Sequence, residues 1–261
     1  MIKIVYSSII AFIMIISFNF SAKADVSDND LLAEAADDWV QTNGNLAGHR
    51  FSTLDQINAN NASSLKVDWI YSTGGSTNAQ GPVIEHDNLL FFVQDNSVHA
   101  IHADSGVRAW RYDYEMPEDF GGQFNPFFTG KHRGAAISGS NVYALTSDCT
   151  LIALNYKSGE ETFSHKIDRP YPRDFETTAD GNGYFCTSNP VAIPGGKIIV
   201  PMNATDTGGL QGYVHAHSAA TGERLWAAPM IPQPGEPGAD TWPGDSRIYG
   251  GAGPWIAGSY D

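Results

Sequence analysis

Basic residues are scarce in this sequence: 15 Lys and Arg stand against 29 Asp and Glu, a formal net charge of −14. A field of that sign repels nucleic acid and anionic lipid, which argues against nucleic-acid binding and favours solubility or a basic protein partner. Cysteine is scarcer still. Cys149 and Cys186 are too few for a disulfide framework. Each falls in a different one of the repeats described below, so they read as two separate, small buried side chains. Charged residues make up only 17% of the chain, while Gly (27) and Pro (14) are plentiful. That balance suits many short strands and tight turns rather than helices. A phosphate-cradling glycine loop, a serine triad and a zinc-type cluster are all missing.

Long apolar runs are also missing, except at the start. Lys3 provides a positive n-region, Ile9 to Phe18 an apolar stretch, and Ala22-Lys23-Ala24 a small-residue cleavage site. The stretch is shorter than the roughly 20 apolar residues of a spanning helix. Residues 1–24 therefore read as a secretory signal and residues 25–261 as an exported, soluble domain with no membrane span after cleavage.

What the sequence does have is internal repetition. Val98-His-Ala-Ile-His-Ala-Asp-Ser-Gly-Val-Arg-Ala-Trp110 is echoed by Leu151-Ile-Ala-Leu-Asn-Tyr-Lys-Ser-Gly-Glu-Glu-Thr-Phe163 and by Val214-His-Ala-His-Ser-Ala-Ala-Thr-Gly-Glu-Arg-Leu-Trp226. Each copy has an Ala, a Gly six residues on, and an aromatic four beyond that. The glycines recur every 50 to 60 residues or so. A β-rich segment precedes each copy (89–93, 141–145, 197–200), and polar turns at Asp95-Asn96 and Ser147-Asp148 lead into the first two. Ser-Gly or Thr-Gly then makes a turn in which Gly takes positive φ. The aromatic opens the outermost strand, its ring covering the neighbouring unit while the small Ala lets it approach. Four-stranded antiparallel units at this period are blades of an all-β propeller. Leu65-Lys-Val-Asp-Trp69 reads as one more outer strand. The last residues, Ser259-Tyr260-Asp261, form neither a capping helix nor a polar terminal strand, so the expectation is an incomplete ring.

Two histidine pairs stand out. His215 and His217, at i and i+2 of a strand, share a face and could hold a metal, but ordinary blade packing is the commoner use of such a pair. The same holds for His99 and His102. Richer in signal is the stretch from Thr241 to Asp261, where Trp255 sits among glycines that permit close backbone approach and could offer a flat face to a planar ligand.

That stretch resembles the segment of pyrroloquinoline quinone (PQQ) dependent methanol and ethanol dehydrogenases that carries the Trp stacked on the cofactor. The Ala-Gly-aromatic repeats resemble that family's tryptophan-docking motifs, with Phe163 in place of one Trp. The opening, from Asp38-Trp39 through Asn45-Leu-Ala-Gly-His-Arg-Phe-Ser52 to Leu54-Asp-Gln-Ile-Asn58, is similar to the family's N-terminus. The resemblance implies an eight-bladed propeller of which this chain is about half. It further implies a periplasmic enzyme that oxidises a small primary alcohol with PQQ and calcium (or a lanthanide) and passes electrons to a cytochrome c.

Residue by residue, the resemblance makes Trp255 the stacking aromatic and Arg133 the cation at the quinone. Thr187 matches a hydrogen-bonding Thr, Asn203 a cofactor-contacting Ser, and Gln80 a Glu at the cofactor. Counting from Gly196-Lys197 puts Asp206 at the metal-ligating Glu, whereas counting back from Gly212 puts Thr207 there; charge favours Asp206. Phe127 and Phe128 replace the adjacent cysteines whose disulfide ring covers one face of PQQ. The family's catalytic Asp, and an Asn that also ligates the metal, are expected beyond Asp261, so no catalytic residue is assigned and this portion alone is expected to be inactive. A different reading is a non-catalytic propeller scaffold for protein interaction, which would share the docking repeats and bind no quinone.

Overall fold

The computed structural model describes residues 23–74, 80–118, 132–168, 186, 188–202, 212–244, 246–249 and 252–261. Residues 1–22, the greater part of the expected signal (1–24), and Phe127, Phe128, Thr187, Asn203 and Asp206 lie outside them. Among the described residues, twelve strands form three separate four-stranded antiparallel sheets. The first holds β1 (Ile84–His86), β2 (Leu89–Gln94), β3 (Ser97–His102) and β4 (Arg108–Asp113). The second holds β5 (Ala136–Ser138), β6 (Asn141–Leu145), β7 (Thr150–Asn155) and β8 (Glu161–Lys166). The third holds β9 (Val191–Ile193), β10 (Lys197–Met202), β11 (Tyr213–Ser218) and β12 (Arg224–Pro229). Each sheet is a meander in chain order, the expected propeller blade, and among the described residues the three blades do not close into a ring.

Local chemistry explains the meander. Asp87-Asn88 and Asp95-Asn96 all take positive φ, the backbone that two-residue hairpin turns require and that Asn and Asp tolerate best. In every blade the repeat's Ala pairs with the outer aromatic, Ala100 with Trp110, Ala153 with Phe163 and Ala216 with Trp226. The register shifts just after each of these alanines, a bulge that bends the outer strand. Inner strands are buried and outer strands alternate between exposed and half-buried.

Blades dock through the repeat glycines rather than through the alanines. A Cβ built on Gly106, Gly159 or Gly222 would lie 2.5, 2.7 or 2.6 Å from the ring of Trp69, Trp110 or Phe163 of the preceding unit. These glycines also have φ of 67°, 74° and 75°, so both backbone and space demand Gly. Trp69 donates its indole N–H to the Ala103 carbonyl (3.0 Å) and Trp110 to that of Tyr156 (2.9 Å). Leu65 to Ile70 joins no ladder, yet Trp69 docks as an outer-strand aromatic would.

The cysteines depart from expectation: Cys149 and Cys186 are disulfide-bonded. Cys149 ends the β6–β7 turn, and the Cys186 amide donates to the Ser147 carbonyl at 3.0 Å, so the connector entering the third blade is laid against the turn of the second. Repeat membership was the wrong guide, because Cys186 belongs to the connector and not to a blade strand. Closing a loop of 37 residues contributes about 3–5 kcal/mol through the unfolded chain.

Residues 23–31, of which Lys23 and Ala24 fall within the expected signal and would leave with it, form a strap across successive blades. The Lys23 amide donates to Asp87 (3.2 Å) at the β1–β2 turn, Val26 and Gly139 exchange backbone hydrogen bonds at the β5–β6 turn, and Asp28 accepts from the Gly195 amide (2.9 Å) at the β9–β10 turn. A capping box between Ser27 and Asp30 starts the short helix α1 (Asp28–Leu32), which buries Leu31. Behind the strap Asp38 meets Lys23 (2.6 Å) and buried His86 (3.1 Å), whose other ring nitrogen faces the Ala24 carbonyl (3.1 Å). Burial would raise the Asp38 carboxyl, but hydrogen bonds from His86 and Lys23 outweigh it and hold the group at about 2. Next to it, burial and the Asp38 charge push Glu85 up to about 7.

Candidate functional site

The segments that lead into the innermost strands meet at one end of the blades. Gly81 precedes β1, Gly134 precedes β5 and Asn189 precedes β9. A Cβ on Gly81 would lie 3.0 Å from the Gly134 nitrogen, and one on Gly134, at φ 128°, would lie 2.5 Å from Asn189 Oδ1. The three segments therefore stack with no room for a side chain at Gly81 or Gly134. Asn189 in turn donates to Thr42 Oγ1 (2.5 Å), and Gln41 Nε2 donates to the Ala192 carbonyl (3.0 Å), which fastens the N-terminal segment to the same framework.

The Gly-rich C-terminal stretch is laid over this end. Gly212 has the Ala252 carbonyl and Pro254 where a side chain would be, and Ser188 Oγ donates to the Pro254 carbonyl (3.2 Å). This brings Trp255 to Arg133, whose guanidinium carbon lies 5.3 Å from the indole centroid. A cation over an indole contributes roughly 0.5–2 kcal/mol. Trp255 is otherwise open, at 44% exposure. Burial lowers the Arg133 pKa from its ordinary value, but an arginine remains charged.

Beside this pair lies an open cleft of about 570 Å³ lined by Thr42, Asn43, Arg50, Gln80, Gly81, Pro82, Arg133, Ile256 and Ala257. Of the sequence-derived candidates, Gln80 and Arg133 thus share one cleft, with Trp255 stacked on Arg133 and followed directly by two lining residues. Among the described residues, both charged lining residues are arginines. A concave wall with two cations, amides, a hydroxyl and an adjacent indole suits a planar anionic ligand. Thr42, Asn43 and Arg50 were not anticipated; they come from the N-terminal segment, and nothing in their local pattern marks them as part of a site.

His99, His215 and His217 are buried among packed rings, whereas His102 is exposed. His215 and His217 do share a face, with centroids 5.7 Å apart and planes at 17°, and both are fully buried. Burial pushes His215 down to about 3. Buried His99 stacks on Phe92 (4.7 Å) and hydrogen-bonds the Tyr71 hydroxyl (3.0 Å). Among the described residues no group of three or more His, Cys, Asp or Glu side chains could hold a metal ion, and no helix is long and apolar enough to cross a membrane.

Four-stranded meander blades docked by aromatics on glycines define a partial β-propeller. The family described as PQQ: glucose/ethanol/alcohol dehydrogenase, beta-propeller domain, matches residues 39–261, and the chain belongs to it. It is 31% identical over 264 residues to the quinoprotein alcohol dehydrogenase PedH of Pseudomonas putida KT2440, covering 92% of this chain and 41% of that protein. It is 30% identical over 244 residues to the 1-butanol dehydrogenase (quinone) of Thauera butanivorans, covering 83% of this chain and 37% of the relative. Among solved structures, the quinohemoprotein alcohol dehydrogenase ADHIIG from Pseudomonas putida HK5 has the same fold, with a TM-score of 0.73 at 24% identity over 86% of this chain and 33% of that one. The chain spans about two fifths of the length of these curated relatives.

Proposed function

We propose that this chain forms the first blades of a periplasmic, PQQ-dependent alcohol dehydrogenase. The observation that carries the reading is the Arg133–Trp255 pair beside a cleft whose only charged lining residues, among the described residues, are arginines, in a chain of net charge −14. The fit to the cofactor is chemical: PQQ is planar, for an indole, and bears carboxylates, for guanidinium groups. When bound, it supplies a quinone that accepts hydride from an alcohol. Arg133 offsets negative charge at the ligand, Trp255 flanks the ring system, and Gln80 offers an amide. Thr187, Asn203, Phe127 and Phe128 join them on the family resemblance alone. Asp206 is carried in the same way as the ligand for calcium or a lanthanide; with one carboxylate assigned, no step is derived through the metal. A small primary alcohol as substrate and a cytochrome c as electron acceptor follow from the same resemblance. Since the family's base has no counterpart assigned in residues 25–261, this portion is expected to bind cofactor without oxidising alcohol. A pure interaction scaffold has no use for the two-arginine cleft beside Trp255.

The test is to titrate the purified chain with PQQ, following quenching of tryptophan fluorescence and the near-ultraviolet absorbance kept after desalting. Saturable binding that weakens about tenfold or more in Arg133→Ala supports the reading. No binding by the unaltered chain would remove the quinoprotein reading and leave the scaffold.

A further inference from the structure

We propose that Arg50 is a second anion-recognising residue of the cleft, carried there by the N-terminal segment to hold a carboxylate arm of the ligand. This rests on the reading that the cleft takes a planar polycarboxylate. Arg50 is exposed and belongs to a loop, where an arginine is ordinarily solvated and without a task. Three observations set it apart.

The first is how it is held. Its backbone amide donates to the Asn43 carbonyl at 2.8 Å and its Nε to Asn43 Oδ1 at 3.1 Å. One anchor holds the backbone and the other the inner edge of the guanidinium, and the two terminal amino groups have no partner among the described residues. The second is the backbone, at φ 52°, a left-handed conformation uncommon for a residue with a long side chain. The turn keeps it because the Asn43 anchors fix both the amide and the guanidinium. The third is the framework. Asn43 is adjacent to Thr42, which accepts from Asn189, and Asn189 lies against Gly134, the neighbour of Arg133. The walls bearing the two arginines are thus tied to each other within a few residues.

A guanidinium with its terminal amino groups open presents a planar fork that matches a carboxylate with two parallel hydrogen bonds. With Arg133 engaged at the Trp255 ring, Arg50 reads a carboxylate at the rim. Its contribution is then to affinity and to selection among quinones by charge, distinct from any role at the reacting atoms.

The experiment compares the unaltered chain, Arg50→Ala, Arg50→Lys and Arg133→Ala, titrated by tryptophan quenching at low and high salt with PQQ and with its trimethyl ester. Far-ultraviolet circular dichroism and a thermal melt establish that each variant is folded. Arg50→Ala should bind PQQ about 10- to 100-fold more weakly, with a shallower salt dependence, and should bind the ester as the unaltered chain does. Arg50→Lys should recover part of the loss by charge alone. Unchanged PQQ affinity in Arg50→Ala alongside a clear loss in Arg133→Ala would overturn the role of Arg50 and leave the cleft reading standing. Failure of the unaltered chain to bind would overturn both.

Discussion

Phe163 breaks the repeat in one respect that its neighbours repair. Trp69 and Trp110 each donate an indole N–H to a carbonyl three residues before the glycine they cover. Phe163 covers Gly222 and has nothing to donate. The matching carbonyl, on Ala219, instead accepts from the buried Tyr143 hydroxyl at 2.8 Å. Tyr143 faces Ala153 just as Phe91 faces Ala100 in the blade before, so a Phe–Trp pair has become a Tyr–Phe pair that keeps one donor at the interface. Tyr143→Phe should lose about 1–3 kcal/mol in urea denaturation by orphaning a buried acceptor. Adding Phe163→Trp should return part of that loss. A Tyr143→Phe variant as stable as the parent would show that the hydroxyl does not serve as the replacement donor.

At the level of elements, the blades were legible because each strand's signal is local. Alternation, Asp-Asn turns and the Ala-Gly-aromatic spacing recur within stretches of a dozen residues, and β2, β6 and β10 begin where the β-rich runs begin. The work of the repeat glycine was half legible: its positive φ follows from the turn, but the ring over it comes from the preceding blade, which no local pattern reveals. The two contributions can be separated. Gly139 has φ 57° and open space around it, whereas Gly159 has φ 74° with Trp110 against it. Gly139→Ala should cost about 1 kcal/mol from backbone strain alone. Gly159→Ala should exceed about 3 kcal/mol, because strain and displacement of a docked indole add. Equal losses in chemical denaturation would mean that docking tolerates the intrusion. The Cys149–Cys186 bond was illegible for the same reason, as it joins the β6–β7 turn to a residue ahead of the next blade.

For the whole molecule, the site was legible only in part. Arg133, Trp255 and Gln80 were found through resemblance over a long stretch, and they do meet. Arg50 and Asn43 lie some 30 to 200 residues from their partners in the cleft, so their place depends on the assembled blades. The same assembly sets a pH dependence at the strap. Glu85 keeps its proton to about 7 in the folded chain, whereas an unfolded glutamate loses it near 4.3. The proton-linked stability is therefore full below the unfolded value and is lost as pH rises to about 7. Raised above its ordinary value by the Asp38 partnership that outweighs burial, His86 acts in the same direction as pH climbs. Asp38, held at about 2, acts oppositely and loses its contribution only under acid conditions. Melting temperature should thus decline from pH 5 to pH 8, and Glu85→Gln should flatten that decline while changing little at pH 5. An unaltered slope in the variant would assign the dependence elsewhere.

The strap also fixes an order of events during synthesis. Residues 25–31 are made before any blade exists, yet their partners are Gly139 and Gly195, the last made some 170 residues later. Translation at roughly 5–20 residues per second makes that delay about ten to thirty seconds. Through that interval the leading segment has no finished surface to rest on. With Val26 bound at Gly139 and Asp28 at Gly195, it can be fully seated only once the second and third blades stand in register, as a latch would.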